Sequence, residues 1–454
     1  MAAINTYTGN IIYKKLYAKY AAVFTFGMLM GFRIFPGPVV AGLYIAIAAY
    51  CLWVGIKEQF EKLFIFLPFL CYTEPYMRGY VRSVPYLGLQ YLFLAIFGYL
   101  TIKHLRDKKP HSNGFILILA FALVELLNGL FPNDPLDLRP VLINSFSLII
   151  TMIWASFNTL SPKLILRLLT YVKMASIYLT GMVLVAHLQG SISYNTESNY
   201  DSSNGLAPVQ LSGYLGWGSI LLLFSFLNPE EEKYRILNLV MFIICCTVMI
   251  LTFSRGGLYF LGVIMVCYLY FNKANFASYL KLLLFAPVGF LIYFLVVLQT
   301  GGAIVKRYEK KGSSNRDLLI EAGYKIFLDN PIIGVGTSNY NQEIVKRKYF
   351  NQKSTAHNEF VRSAAEHGIT GVILYWGYFI YLFFEVLSRH GTKKMFSFYF
   401  LLLFCLISVH NGLKVSIQPL LIMLAIANPD VSQIKKVIRN AVKPTIGSEQ
   451  LQPS

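Results

Sequence analysis

The sequence predicts an all-α polytopic membrane protein with about 12–14 transmembrane helices and one large helical extracytoplasmic loop. Three observations lead there. Of 454 residues, 56% are hydrophobic and only 14% charged, with a mean hydropathy of +0.54; soluble domains carry about 25% charged residues. Apolar runs of bilayer-like length recur along most of the chain. One long stretch, Gln299–Gly371, interrupts them, and it holds ten Lys/Arg residues between Lys306 and Lys353.

Taken in order, the candidate spans begin with Leu16–Phe35 and Pro38–Ile56, divided at Pro36-Gly37-Pro38. A short run, Leu63–Tyr72, precedes Tyr86–Ile102, Phe115–Phe131, Val141–Phe157 and Leu164–Leu188. Leu206–Leu227, Ile236–Phe253, Leu258–Phe271 and Leu282–Leu298 complete the chain before the loop. Phe360–Leu387, Phe396–Val409 and Val415–Ala427 follow it. This divides the chain into membrane helices with short loops (1–298), the loop (299–360), further helices (361–428) and a basic tail (429–454).

Charge orients the spans. With the N-terminus cytoplasmic, the inner connections collect Lys14, Lys15 and Lys19, then Lys103–Lys109, then Lys435, Lys436, Arg439 and Lys443 of the tail. The short outer loops hold little more than Arg78, Arg82, Arg139 and Lys414. That is the positive-inside bias, with both termini cytoplasmic. The loop at 299–360 falls outside although it is the most basic connection, so its charge calls for a functional reason.

The formal net charge of +18 does not indicate nucleic acid, because the basic residues lie between apolar segments. The six cysteines are scattered without a C-x-x-C pair and read as small apolar side chains. No H-E-x-x-H, Walker loop, G-x-S-x-G or paired-carboxylate metal motif stands in the outer segments. A metal-independent mechanism without a cofactor is the expectation.

Several residues remain that could carry chemistry. Arg255, in Ser254-Arg255-Gly256-Gly257, lies between two apolar runs; it either snorkels from a helix end or serves a function, as ionisable residues at a membrane commonly do. Gly256 and Gly257 would let backbone N–H groups approach an anion. Arg316 opens a helix behind Ser314 or Asn315 as N-cap, where a cation opposes the dipole unless it serves a ligand or pairs with Asp317. Asn330-Pro331-Ile332-Ile333-Gly334-Val335-Gly336 reads as a helix stop and tight turn. His357 is expected in the first turn of the next helix, kept neutral by the dipole and able to accept a proton, although a lone His is often structural. Gly368 is expected to cap that helix, with His367 in its last turn. His410, beside Asn411, is a second candidate base, and Arg307 belongs to the basic stretch.

In order, Ser254-Arg255-Gly256-Gly257, Arg316, Asn330-Pro331-x-x-Gly334-x-Gly336, His357-Asn358-x-Phe360 and Glu366-His367-Gly368-Ile369-x-Gly371 resemble the O-antigen ligase/polymerase family. The resemblance runs from Thr252 to Gly371. It implies a C-type glycosyltransferase-like membrane fold acting on glycans carried by undecaprenyl pyrophosphate, outside the bacterial cytoplasmic membrane. It further implies that Arg255 and Arg316 hold the pyrophosphate and that His357 acts on the acceptor; Gly256, Asn358, Arg307 and His410 are the further residues expected to bind substrate. The expected reaction is an inverting glycan transfer onto an acceptor sugar hydroxyl in surface-polysaccharide polymerisation. The expected partners are the lipid-linked donor, a glycan or lipid-anchored acceptor, membrane lipids and a chain-length regulator as a further candidate; nucleic acid is not among them. A ligase joining the glycan to lipid A core is the first alternative. A lipid-linked oligosaccharide flippase is the second, though it would place charges at mid-membrane in both halves.

Overall fold

The computed structural model describes residues 2–81, 88–130, 135–190, 192, 194, 200–227, 234–271, 285–309, 316–412 and 415–427. Every regular element among them is helical. The proposed N-caps Ser314 and Asn315 and the basic tail 429–454 lie outside the described residues.

The helices of the first half are α1 (Ala2–Gly31), α2 (Gly37–Ile56), α3 (Phe60–Tyr76), α4 (Gly88–Asp107), α5 (Phe115–Asn128), α6 (Pro135–Ser156), α7 (Pro162–Leu188) and α8 (Pro208–Leu227). The chain leaves α1 at Gly31 and enters α2 at Gly37, with Pro36 as N-cap and Pro38 in the first turn, where a residue that fixes φ and lacks an N–H is tolerated. Helix α7 is among the most enclosed of the long helices, and α1 lies directly on it. A Cβ at Gly27 would stand 2.0 Å from the Tyr178 carbonyl oxygen, and one at Gly181 would stand 2.4 Å from that of Phe24. Two backbones approach this closely only where side chains are missing, which is the small-residue route to helix association in lipid.

The second half comprises α9 (Arg235–Leu251), α10 (Gly256–Phe271), α11 (Phe285–Gln299), α12 (Ala303–Glu309), α13 (Arg316–Asp329), α14 (Tyr340–Lys346), α15 (Glu359–Gly371), α16 (Gly377–Ser388), α17 (Gly391–Asn411) and α18 (Gln418–Ile426). Six helices among the described residues are long and apolar enough to cross a membrane, or seven if the bent pair α11–α12 makes one span. Helices α5, α9 and α10 are apolar but shorter.

This narrows the expected 12–14 crossings. Val415–Ala427, read as a span, contains the nine-residue α18, enclosed by the protein on all sides. At 1.5 Å per residue it is too short to cross. Its apolarity serves the bundle interior and not lipid.

Phe360–Leu387 is also no single rod. Gly368 has φ 59° and ψ −144° inside α15, and a π-turn at Val372–Trp376 separates α15 from α16. Gly368 therefore kinks the helix where it was expected to end it. The turn after α13 packs into that kink. Val335 N–H donates to the Ala365 carbonyl (3.1 Å), Gly336 N–H to that of Glu366 (2.8 Å), and Ile369 N–H to that of Pro331 (2.7 Å). A Cβ at Gly334, where φ is 69°, would meet Glu366 backbone at 2.3 Å. Gly334→Ala is expected to cost roughly 1–3 kcal/mol in backbone conformation alone, more with that clash. Thermal unfolding in detergent checks it, and an unchanged midpoint would mean the turn does not need this approach.

The polar connection has its own small core. Leu319, Ala322 and Ile326 of α13 pack with Tyr340, Ile344, Ala356 and Ala365, and Tyr340 Oη donates to the Leu319 carbonyl. This core fixes where α13 and α15 start.

Candidate active site

The C-terminal end of α17 is the centre on which the expected residues converge. Phe253, with φ 58°, turns the chain sharply out of α9, so Arg255 stands at the mouth of α10. The 109° bend at Gly301-Gly302 lays α12 beside it. Arg255 Nη2 donates to the Arg307 carbonyl at 2.7 Å, and its guanidinium lies 5.2 Å from the centre of the Tyr308 ring. Arg316 reaches a residue 94 positions further along the chain, its Nη1 3.0 Å from His410 Nε2. Among the described residues neither Arg255 nor Arg316 has a carboxylate partner.

Arg316 was expected to oppose the dipole of its own helix. Its guanidinium in fact sits at the C-terminal end of α17, where exposed carbonyls favour a cation. Burial, and then the positive charge of Arg307, press its pKa below the ordinary value. It nonetheless stays charged at neutral pH. A part-buried guanidinium with no carboxylate partner among the described residues has the geometry to take a bidentate anion.

The two glycines are needed for close packing, and for Gly257 this takes up the amide that was expected to face an anion. A Cβ at Gly256 would stand 2.5 Å from His410 Nε2, so Gly256 makes room for the imidazole. Gly257 N–H already donates to Ser212 Oγ at 2.8 Å, and a Cβ there would strike the Ser212 carbonyl. Its amide is therefore occupied by α8.

His357 is not in the first helical turn. It has φ 51° and precedes the N-cap, which is Asn358; the Asn358 Oδ1 accepts from Phe360 N–H (3.0 Å) and Val361 N–H (3.3 Å). Asn358 was expected to line the substrate, and the structure uses its side chain as a cap. The dipole argument for a neutral His357 lapses with this placement. What the structure supplies is position. Gly412 (φ 63°) turns the chain after α17 so closely that a Cβ there would be 3.9 Å from the His357 Cα. His357 thus stands beside His410-Asn411-Gly412 and lines a cavity of about 1100 Å³, which Asn411 also lines.

Sequence reasoning missed a buried ionic network just behind. Arg362 lies between Glu125 of α5 (2.8 Å), Glu359 and Glu366. Ser145 Oγ donates to Glu125 Oε1 (3.0 Å), and Asn128 Nδ2 lies 3.1 Å from Nδ1 of the fully buried His367. His367 is thus a packing member of this network, where a helix-capping role was expected. The signal existed in Glu359, Arg362 and Glu366, spaced to share a helix face, and in the single Glu125 of an apolar run. Arg362→Leu is expected to destabilise the fold by roughly 3–5 kcal/mol, because it strands buried carboxylates. Unfolding in detergent checks this; a wild-type midpoint would show the network to be dispensable.

Residues 240–376 match the O-antigen ligase family. The expected resemblance is borne out over that stretch. The matched stretch begins within α9 and ends at the π-turn after α15, so it takes in Arg255, Arg307, Arg316, His357 and Arg362. His410 and Asn411 lie beyond it, and so does the whole of the first half. No curated protein matches the chain. The all-α, multi-pass membrane architecture agrees with this assignment.

Proposed function

We propose that this protein is a membrane glycosyltransferase that moves a glycan from undecaprenyl pyrophosphate onto an acceptor sugar hydroxyl, by inversion and without a metal. The observation that carries the reading is that Arg316 contacts His410, whose ring lies against Gly256 next to Arg255, with neither arginine holding a carboxylate among the described residues and with His357 and Asn411 lining a cavity alongside. His357 takes the proton of the acceptor hydroxyl. The hydroxyl oxygen bonds to the anomeric carbon as the bond from that carbon to the pyrophosphate oxygen breaks. The electron pair leaves with the lipid pyrophosphate, whose growing charge Arg255 and Arg316 stabilise most in the transition state. Polymerisation of lipid-linked repeats is the preferred outcome, with ligation to lipid A core as the alternative. A chain-length regulator is a proposed partner.

Cells lacking the protein should lose surface glycan and accumulate its lipid-linked precursor on the outer leaflet. Accumulation on the inner leaflet would instead identify a flippase. The site belongs on the extracytoplasmic face of the bacterial cytoplasmic membrane, with both termini inside. Ile333, which is 67% exposed in the turn after α13, suits a test. A cysteine placed there should react with an impermeant maleimide added to intact cells; protection there, with labelling of a C-terminal tag, would invert the topology.

A further inference from the structure

The cavity beside His357 is built by both halves of the chain. Its first-half wall comes from the ends of α1, α3 and α8 and includes Arg33, Arg78, Tyr80 and Gln210. Its second-half wall is His357 and Asn411. Resting on the function proposed above, we propose that this cavity is the acceptor subsite, where Asn411, Arg78 and Tyr80 hold a neutral or weakly acidic oligosaccharide with one hydroxyl at His357.

Asn411 is the first argument. It is 2% exposed, yet neither its amide nitrogen nor its amide oxygen has a hydrogen-bond partner among the described residues. A buried amide left unsatisfied is costly, and native proteins rarely keep one without use. It offers a donor and an acceptor side by side, the complement of two neighbouring sugar hydroxyls. Its neighbour His410 contacts Arg316, and the following Gly412 packs on His357. A sugar bound to Asn411 therefore lies between the base and the arginine pair.

The opposite wall supplies the second argument. Arg78 is held by Glu74 (3.1 Å) and by the Gln210 side chain, so its planar fork is oriented and its charge compensated. The Arg33 guanidinium lies 4.7 Å from the Tyr80 ring centre. Oriented planar polar groups beside an aromatic ring suit a polyhydroxylated ring with apolar C–H faces. They suit a pyrophosphate less well than Arg255 and Arg316 do, because Arg78 already has its carboxylate and Arg33 is turned onto the Tyr80 ring and the Asn204 carbonyl. The donor's charge thus falls to Arg255 and Arg316, and the acceptor to this wall. About 1100 Å³ exceeds the roughly 300–1000 Å³ of small-ligand pockets, which leaves room for several sugars.

The test uses full-length protein in lipid nanodiscs and two probes from the host. One is the repeat-unit oligosaccharide released from its lipid carrier by mild acid; the other is core oligosaccharide released likewise from lipopolysaccharide. Wild type should bind one of them, and which one identifies the acceptor. Asn411→Leu and Arg78→Lys should each raise that Kd, and the acceptor KM in transfer, by about tenfold or more, with donor KM within about twofold. Should Asn411→Leu lower the melting temperature, Arg78→Lys and Tyr80→Leu decide. Unchanged acceptor KM in a protein that transfers glycan overturns the subsite and leaves the transferase reading intact. Variant-sensitive glycan binding without transfer overturns the reaction and keeps the subsite. Failure of wild type to bind either probe overturns the subsite.

Discussion

His357→Ala is expected to slow glycan transfer by roughly 10²–10⁴-fold, the usual contribution of a positioned general base. Donor affinity should change little, because the pyrophosphate is assigned to Arg255 and Arg316, which approach the site from α10 and α13. The result separates a base from a merely positional residue. His357 occupies a left-handed backbone conformation just before a helix cap, so the control is His357→Asn, which tolerates that conformation well. If His357 only holds the turn, Asn restores most of the rate. If it takes the proton, Asn is nearly as slow as Ala, and the fall in activity at low pH that is expected of wild type disappears. Rescue by Asn would move the base to His410.

Arg316→Lys should lower turnover by roughly 10–100-fold, equivalent to one lost charge-assisted bond of about 1.5–3 kcal/mol. The charge survives this change but the bidentate fork does not. Lysine also cannot reproduce the planar contact with His410, so the imidazole beside Gly256 loses its partner. Arg255→Lys should act similarly, through loss of the bond to the Arg307 carbonyl as well as the contact with phosphate. A full rate in both Lys variants would mean that the site needs only positive potential and makes no oriented clamp.

What could be read from the chain alone follows from how local each cause is. Pro36-Gly37-Pro38 and Asn330-Pro331 were legible as breaks because proline acts on its own backbone, and α13 does end at Asp329. The position of Arg316 at a helix start was equally local. The position of His357 was not, because it depended on which nearby residue wins the N-cap. Asn358, one of the best capping residues, takes that position and leaves His357 outside the helix. Long-range pairings left only faint traces. The contact of Arg316 with His410 and the placement of Glu125 against Arg362 join segments 94 and 237 positions apart. The same is true of the cavity, whose first-half wall carries Arg78, read from sequence only as an outer-loop charge. The role of Gly256 was legible as a need for closeness, and the side chain it admits in the fold is the His410 imidazole.

The central claim is that this protein catalyses glycosyl transfer, and its most direct test is reconstitution. Purified protein in liposomes would be given lipid-linked glycan carrying a label on the sugar, together with an acceptor glycan, in buffer containing EDTA. Labelled product should form in step with release of free lipid pyrophosphate, the chelator should leave the rate unchanged, and His357→Ala should stop both. Movement of intact lipid-linked glycan between leaflets with no new glycosidic bond would contradict the claim.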